Sequence, residues 1–392
     1  MRSIIFTEEF CQPEQLFPLS LTRQVQDCRI GILTIREKWE RMTRLPSFDK
    51  MEDSFKDHER SVRLSQIKNT DTCYLIHSNL LPTLALVSAI LKLKAGDCLV
   101  DTEHAPLAYC ITAGQSDKKN AIKISKTVYY NKPVYQIQHP WDLLRFNAWS
   151  ISEDYKIISK GRKSCPLPKS NQVIGKKNLF IEKGASIQCA IINTTEGPVY
   201  IGKGATIMEG ALLRGPLSIG ENATVKMGAK IYGATTIGPS CVIGGETKNS
   251  ILFGFSNKAH DGYLGDSVIG EWCNMGAGTS NSNIKNTAGS VRVYTPSGEK
   301  QMGLKCGVIM GDYVRTSINS SINTGSVIGT CSVVLGTALT PRYIAPFSWG
   351  EEGINRYKWE KVLLDIAQWK QLKGMKLLAS ELTILKYLYK NY

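Results

Sequence analysis

The sequence predicts an α/β layer domain, then a parallel β-helix, then a short helical segment. Three observations carry that order. Apolar strand-like runs alternate with helix-compatible stretches early in the chain, aliphatic residues then recur at every sixth position, and the last stretch returns to helical spacing. At 392 residues the chain exceeds one ordinary core. A hydrophobic content of 42% with 21% charged residues excludes disorder of the whole chain.

The first domain is expected over residues 1–147. Ile4 to Phe6, Cys73 to Ile76 and Cys98 to Val100 read as strands, and Arg36 to Met42 and Leu84 to Leu93 as helices. Residues 148–172 read as an exposed linker. Lys156, Lys160, Arg162, Lys163, Lys169, Lys176 and Lys177 fall in a stretch free of acids, with Pro166 and Pro168 among them.

Residues 173–350 hold the repeat. Ile201, Ile207, Leu213, Ile219, Val225, Ile231, Ile237 and Ile243 stand six apart without a miss. Ala205, Ala211, Leu217, Ala223 and Ala229 follow the first five at four places, and Thr235 and Cys241 continue that series. A helix repeats near 3.6 residues and a simple strand near 2, so neither explains the pattern. Three hexads make one triangular coil, with aliphatic residues inward, small ones near the corners and glycines such as Gly202, Gly220, Gly238 and Gly244 at the turns. A second block resumes at Met310, Thr316, Ile322, Ile328 and Val334. Between the blocks the period breaks over about Lys248 to Ser267 and Ser280 to Val308, read here as two insertions at a shared edge, where loops on a rigid scaffold commonly carry function. The repeat resembles the left-handed β-helix of the hexapeptide acyltransferases. In residues 351–392, Trp359, Val362, Leu363 and Ile366, then Leu378, Leu382 and Leu385, recur at helical spacing.

Composition narrows the function class. No apolar run reaches the length of a membrane span, and Met1 to Ser20 carries acids where a secretory signal would be apolar, so a cytoplasmic protein is expected. Eleven cysteines without a C-x-x-C pair fit reduced thiols better than a disulfide or zinc framework. The net charge of +14 comes without a helix-turn-helix, a zinc finger or an aromatic-and-basic surface. Phosphorylated small molecules, rather than nucleic acid or membrane, are the expected partners.

The candidate chemistry lies in the β-helix. If one coil is 18 residues, Lys230 and Lys248 stack at about the 4.8 Å strand spacing. Two ammonium groups at that distance repel by roughly 3 kcal/mol, which an anionic ligand would relieve; the alternative is that both splay into water. His260 is the sole histidine from Ile151 to Tyr392, and a neutral imidazole can take a proton from an amine at physiological pH.

The segment Ser256 to Asp266, with Asn274 to Thr279 and Asn283, resembles the acetyltransferase half of the bifunctional N-acetylglucosamine-1-phosphate uridyltransferase/glucosamine-1-phosphate acetyltransferase family. Lys248, His260, Tyr263, Asn274 and Asn283 keep that family's spacing. The resemblance implies His260 as the base that deprotonates the glucosamine amine, acetyl-CoA as co-substrate and a homotrimer. It implies Lys230, Lys248, Tyr263 and Asn274 as sugar-phosphate contacts and Asn283 on the acyl-CoA side. Ile284 departs from the pattern, standing where a tyrosine is expected.

Most of the chain is similar to a shorter bacterial variant of that enzyme described as a sugar nucleotidyltransferase. The likeness runs through Leu19 to Arg23, Asp27 to Ile35, Asn79 to Pro82, Trp141-Asp142, Lys160 to Ser164, Gly270 to Asn274 and Phe347 to Gly350. It implies a nucleotidyltransferase-like N-terminal domain that joins the acetylated sugar phosphate to UTP in UDP-N-acetylglucosamine synthesis. Arg23 and Arg29 would bind nucleotide phosphate, with Asp27 orienting them or a Mg²⁺, the alternative being surface ion pairs, and Asp101 is a further candidate metal ligand. Typical nucleotidyltransferases open on a glycine-rich loop, whereas the first glycine here is Gly31, and Gln24 replaces a usual proline after Arg23. Two alternatives stay open: nucleotidyl transfer alone, with the β-helix for oligomerisation or regulation, or a non-catalytic sugar-nucleotide binder.

Overall fold

Parallel strands covered on both faces need nearly continuous apolar runs, and the two central strands of the N-terminal sheet have them. Arg2–Thr7 and Thr72–His77 are buried along all but their first residues and pair in parallel register from Arg2↔Thr72 to Thr7↔His77. The computed structural model describes residues 2–52, 54, 56–68, 70–113, 122–351 and 353–392. It divides into two compact units. The first holds residues up to Pro13, Arg23–Cys28 and Leu33–Gln138; the second holds Glu14–Thr22, Arg29–Ile32 and His139–Tyr392.

In the first unit the sheet order is Lys126–Tyr129, Asp97–Val100, Pro106–Ile111, Thr72–His77, Arg2–Thr7, Ser47–Lys50 and Ser61–Val62. Pro106–Ile111 runs antiparallel to both of its neighbours. Helix α1 (Ile35–Thr43) starts at a capping box in which Thr34 and Glu37 satisfy each other's backbone N–H groups. Helix α2 (Leu84–Leu91) is capped by the Thr83 hydroxyl.

The second unit opens with helix α3 (Pro140–Ser159), whose Pro140 takes the first turn. It occupies residues 148–159, which the basic composition had suggested were linker. The reason is a buried stripe at helical spacing, Leu143, Asn147, Ser150, Ile151, Asp154 and Ile158, half of it polar and so invisible to an apolar count. Fully buried Asn147 holds the helix: its Oδ1 accepts from Gly31 N at 2.7 Å and from Thr236 Oγ1 at 3.0 Å, and its Nδ2 donates to Ala234 O at 2.6 Å. The exposed basic segment follows from Lys160. It lies along the first coil, where Cys165 N donates to Ile181 O at 2.8 Å and Ile181 N to Ser164 Oγ at 2.9 Å.

From Gln172 to Gly350 the chain winds into three sheets of six, nine and nine parallel strands, which it enters in turn; one antiparallel strand past Gly350 brings the third to ten. This is the triangular parallel β-helix that the hexads predict. The eight aliphatics from Ile201 to Ile243 all point inward and none is more than 2% exposed. Each such buried side chain contributes about 1.5–3 kcal/mol.

The two breaks in the period differ in kind. The first is not an insertion. Residues 248–267 continue the prism through Ile251–Gly254, Asn257–Lys258 and Tyr263–Gly265, but the corner Gly244-Gly245 is two residues shorter than the corner of residues 226–229 below it. Polar Thr247 and Lys258 also replace aliphatics at inward positions, in register with Ile231 and Ile243. The second break is an insertion. It carries the hairpin Val291–Val293/Lys300–Gly303, and the coils pair across it, Asn274 with Arg315 and Ser280 with Ser321.

The last prism strand, Ser348–Gly350, is met by antiparallel Asn355–Arg356. Helices α4 (Trp359–Gln371) and α5 (Ala379–Asn391) follow, joined by an ion pair of Lys370 and Glu381 at 2.8 Å. Val362, Ile366, Leu385 and Leu388 are buried there, whereas Leu378 and Leu382 of the expected stripe are exposed. All eleven cysteines are free thiols. No helix among the described residues is long and apolar enough to cross a membrane.

Candidate functional site

Strand Asn257–Lys258 lies on the ten-stranded sheet and Tyr263–Gly265 on the six-stranded one. Residues 259–262 turn the corner between them, and His260 stands exposed on it. Its ring makes no hydrogen bond among the described residues, which leaves it open to solvent. Close packing of neighbouring corners holds this turn. A Cβ on Gly262 (φ +120°) would lie 2.2 Å from Thr279 O, and one on Gly245 would lie 2.9 Å from His260 O. Gly278 N donates to Asp261 O at 3.1 Å.

The two lysines do not stack. Because the Gly244-Gly245 corner is short, Lys230 stands opposite Glu246, and Lys248 opposite Tyr232. Lys248 Nζ lies 5.7 Å from the centre of the Tyr232 ring, a cation–π distance. Tyr232 Oη donates to Glu246 Oε1 at 2.6 Å, and that carboxylate pushes the phenol up to about 12. Lys230 is exposed, beside an apolar groove of about 450 Å³ lined by Ile191, Leu212 and Tyr232.

Tyr263 sits on the strand next to Lys248, with Glu246↔Tyr263 and Lys248↔Gly265 as partners. Its ring covers Gly265, where a Cβ would meet Tyr263 Oη at 2.2 Å. Asn283 Nδ2 donates to Tyr263 Oη at 3.1 Å and to Asp266 Oδ2. Burial raises the Tyr263 hydroxyl, and Asp266 and Glu246 add to the shift. Asn274 lies across the His260 corner on the ten-stranded sheet, its Oδ1 accepting from Asn257 Nδ2 at 3.4 Å. Asn257 Oδ1 in turn accepts from Lys373 Nζ at 3.2 Å, and Lys373 also bonds Ser240 O at 2.6 Å.

The structure therefore joins Tyr263 to Asn283, places Lys248 one strand away, and sets His260 at the corner with Asn274 beyond it. Tyr232, Glu246, Asp266, Asn257 and Lys373 are neighbours that sequence reasoning missed. The first two were readable only with the true register. Lys373 lies past α4, where no period points to the prism.

The expected nucleotide residues are divided between the units, Arg23 and Asp27 in the first and Arg29 in the second. Asp27 accepts from Arg36 Nε at 2.6 Å and Nη2 at 3.1 Å, so both its oxygens serve the Arg36 guanidinium. That also leaves Asp27 a poor fit for Mg²⁺. Arg29 instead donates to Ile32 O at 2.7 Å and Phe253 O at 3.0 Å. Arg23 is half-buried. Asp101 Oδ1 caps the N–H groups of Glu103 and Ala105, both at 2.9 Å, and so closes a turn. No metal-binding group of three His, Cys, Asp or Glu side chains occurs among the described residues.

In parallel sheets, ligands enter at the carboxyl ends of the strands. There, Glu8 pairs with Lys56 at 3.0 Å and Glu9 with Lys50 at 2.6 Å, on the segment where a glycine loop would cradle phosphate. Buried His77 ends the neighbouring strand and buried Ser78 and Asn79 follow it, with Nε2, Oγ and Oδ1 unpartnered among the described residues. Phe10 stacks on His77 at 4.6 Å, and burial holds that imidazole neutral, down to about 4. Unsatisfied buried polar atoms call for a partner, which at such an edge is an ordered water or a ligand.

Residues 4–163 match the family model of sugar nucleotidyl transferases. The bifunctional protein GlmU of Methanococcus maripaludis is 37% identical over 210 residues, 53% of this chain and 44% of that protein. The bifunctional sugar-1-phosphate nucleotidylyltransferase/acetyltransferase of Sulfurisphaera tokodaii is 36% identical over 98 residues, 25% of this chain and 24% of that protein. The chain thus spans less than half the length of these curated relatives. The solved UDP-N-acetylglucosamine acyltransferase of Arabidopsis matches 58% of this chain and 90% of its own at 14% identity and a TM-score of 0.30, too low to bear on the site.

Proposed function

We propose that the β-helix unit acetylates the amine of glucosamine-1-phosphate with acetyl-CoA. The observation that carries the reading is His260, free and exposed at the corner between the sheet bearing Lys248 and Tyr263 and the sheet bearing Asn274. In this reading Lys248 and Lys230 balance the phosphate, and Tyr263, held by Asn283, and Asn274 position the ring. His260 takes the amine proton as nitrogen attacks the thioester carbonyl. A C–N bond forms, the C–S bond breaks and CoA leaves with a proton. Asn283 Oδ1 faces the acyl donor. The bifunctional relatives support this assignment.

For residues 4–163 the matched family supports nucleotidyl transfer to a sugar, which we read as uridylyl transfer to the acetylated product. The unpartnered His77, Ser78 and Asn79 atoms would then take the place that a glycine loop fills elsewhere, with Arg23 near the phosphates. Assembly as a homotrimer would cover the exposed Ile174, Ile191 and Leu212 on the six-stranded sheet.

The test is purified protein with glucosamine-1-phosphate, acetyl-CoA, UTP and Mg²⁺, followed separately for free thiol and pyrophosphate. His260→Ala abolishes thiol release while the melting temperature holds. Undiminished thiol release in H260A overturns the acetyltransfer reading, and pyrophosphate without any thiol leaves nucleotidyl transfer alone.

A further inference from the structure

We propose that Lys258 is a positioning residue for His260: from inside the prism its amine ties the main chain of the corner that presents the imidazole. The inference rests on reading His260 as the base. Lys258 registers with Ile243, at an inward position of the repeat, and is 1% exposed. The residues stacked in the same core include Ile243, Leu252, Leu264 and Met275, all buried and apolar. An uncompensated cation in such a place is costly, and an aliphatic side chain would satisfy the hexad without that cost.

What the amine touches accounts for its presence. Lys258 Nζ donates to His260 O and, at 3.5 Å, to Gly244 O. One end thus spans two successive corners, Gly244-Gly245 and residues 259–262. Gly244 N also donates to Lys258 O at 2.7 Å, so the strand and the amine grip the shortened corner together. Without the amine, His260 O would face an apolar interior unpaired, and turning that peptide outward would swing the imidazole with it. Burial pushes the Lys258 amine down to about 8; even neutral, it keeps two N–H donors for these two carbonyls.

The experiment uses full-length Lys258→Met, which preserves volume and removes the donors, and Lys258→Gln, which restores N–H. The expected result for K258M is a melting temperature equal to or above the parent's, unchanged KM for both substrates, and kcat lowered roughly tenfold to a hundredfold, the loss that a base misplaced by about 1 Å produces. K258Q recovers part of kcat. A structural role alone would lower melting temperature and kcat together with K258Q no better than K258M, and that result overturns the proposal, as does unchanged kcat. With ¹³C-labelled histidine, the His260 ring signal, identified by its loss in H260A, shifts in K258M. If H260A retains activity, the reading of the base has failed while this signal still decides the positioning; an unmoved signal overturns it.

Discussion

Gly262→Ala strikes the His260 corner through its main chain. At φ +120° an alanine is strained by about 1–3 kcal/mol. Its Cβ would also stand 2.2 Å from Thr279 O, a backbone atom of the next coil that cannot rotate aside. Pushing coils apart adds overpacking of about 1–3 kcal/mol. The sum centres near 4 kcal/mol, or roughly 10 °C in melting temperature for a unit of this size. Gly298 supplies the control, with φ +109° and nothing within 4 Å of its Cβ, so Gly298→Ala keeps the strain and lacks the collision. Scanning calorimetry of both variants separates the two contributions, and thiol release reports whether the corner has moved. If G262A and G298A melt at the same temperature, the coils do not approach as described and the reasoning fails.

Asn281→Ala removes an inward amide that accepts from Gly265 N at 2.9 Å and donates to Gly265 O at 3.0 Å. Gly265 O keeps the Ser267 hydroxyl at 2.8 Å, so the buried Gly265 N alone is left unpaired at a cost of about 1–3 kcal/mol, read as a lower urea midpoint, and an unchanged midpoint contradicts the pairing. Lys373→Met frees Asn257 from its tether and should raise KM for glucosamine-1-phosphate several-fold with the circular dichroism unaltered; an identical KM would separate Lys373 from the site. In the first unit, Asp49 bonds His58 at 3.0 Å and raises the imidazole above its ordinary 6.5. Its contribution to stability is complete below pH 6.5 and is lost as pH rises through the higher folded value, so His58→Gln should flatten the decline above that pH. The same slope in both proteins would remove His58 from the account.

Where one physical rule governed a position, the residue type revealed the structure. The interior of the regular coils needs only an aliphatic of suitable size, so Ile201 to Ile243 mark it without ambiguity. The coils bearing the site break that rule, because Thr247, Lys258 and Asn281 point inward and the last two bond the main chain. A search for aliphatics therefore loses register there and takes continuing coils for an insertion. The supposed pairing of Lys230 and Lys248 failed for a related reason: residue counting assumes corners of one length, and Gly244-Gly245 makes the turn in fewer residues. Helix α3 escaped notice because Asn147, Ser150 and Asp154 sit on its buried side. The resemblance singled out Tyr263 and Asn283, which bond each other, and His260 at the corner beside them, yet their neighbours came from Tyr232 and from Lys373 beyond α4, which no local pattern connects.

A ladder of parallel coils ends in unpaired amides and carbonyls at either extremity, and such rims recruit further strands. Here the lysine-rich stretch from residue 160 lies across the first rim through Ser164 and Cys165, while the reversed strand Asn355–Arg356 closes against Ser348–Gly350 at the other. Positive charge at the entrance and a backward fold at the exit make the stack finite. A protein beginning at Gln172 would present a bare template, and its natural failure would be end-to-end fibre growth rather than unfolding.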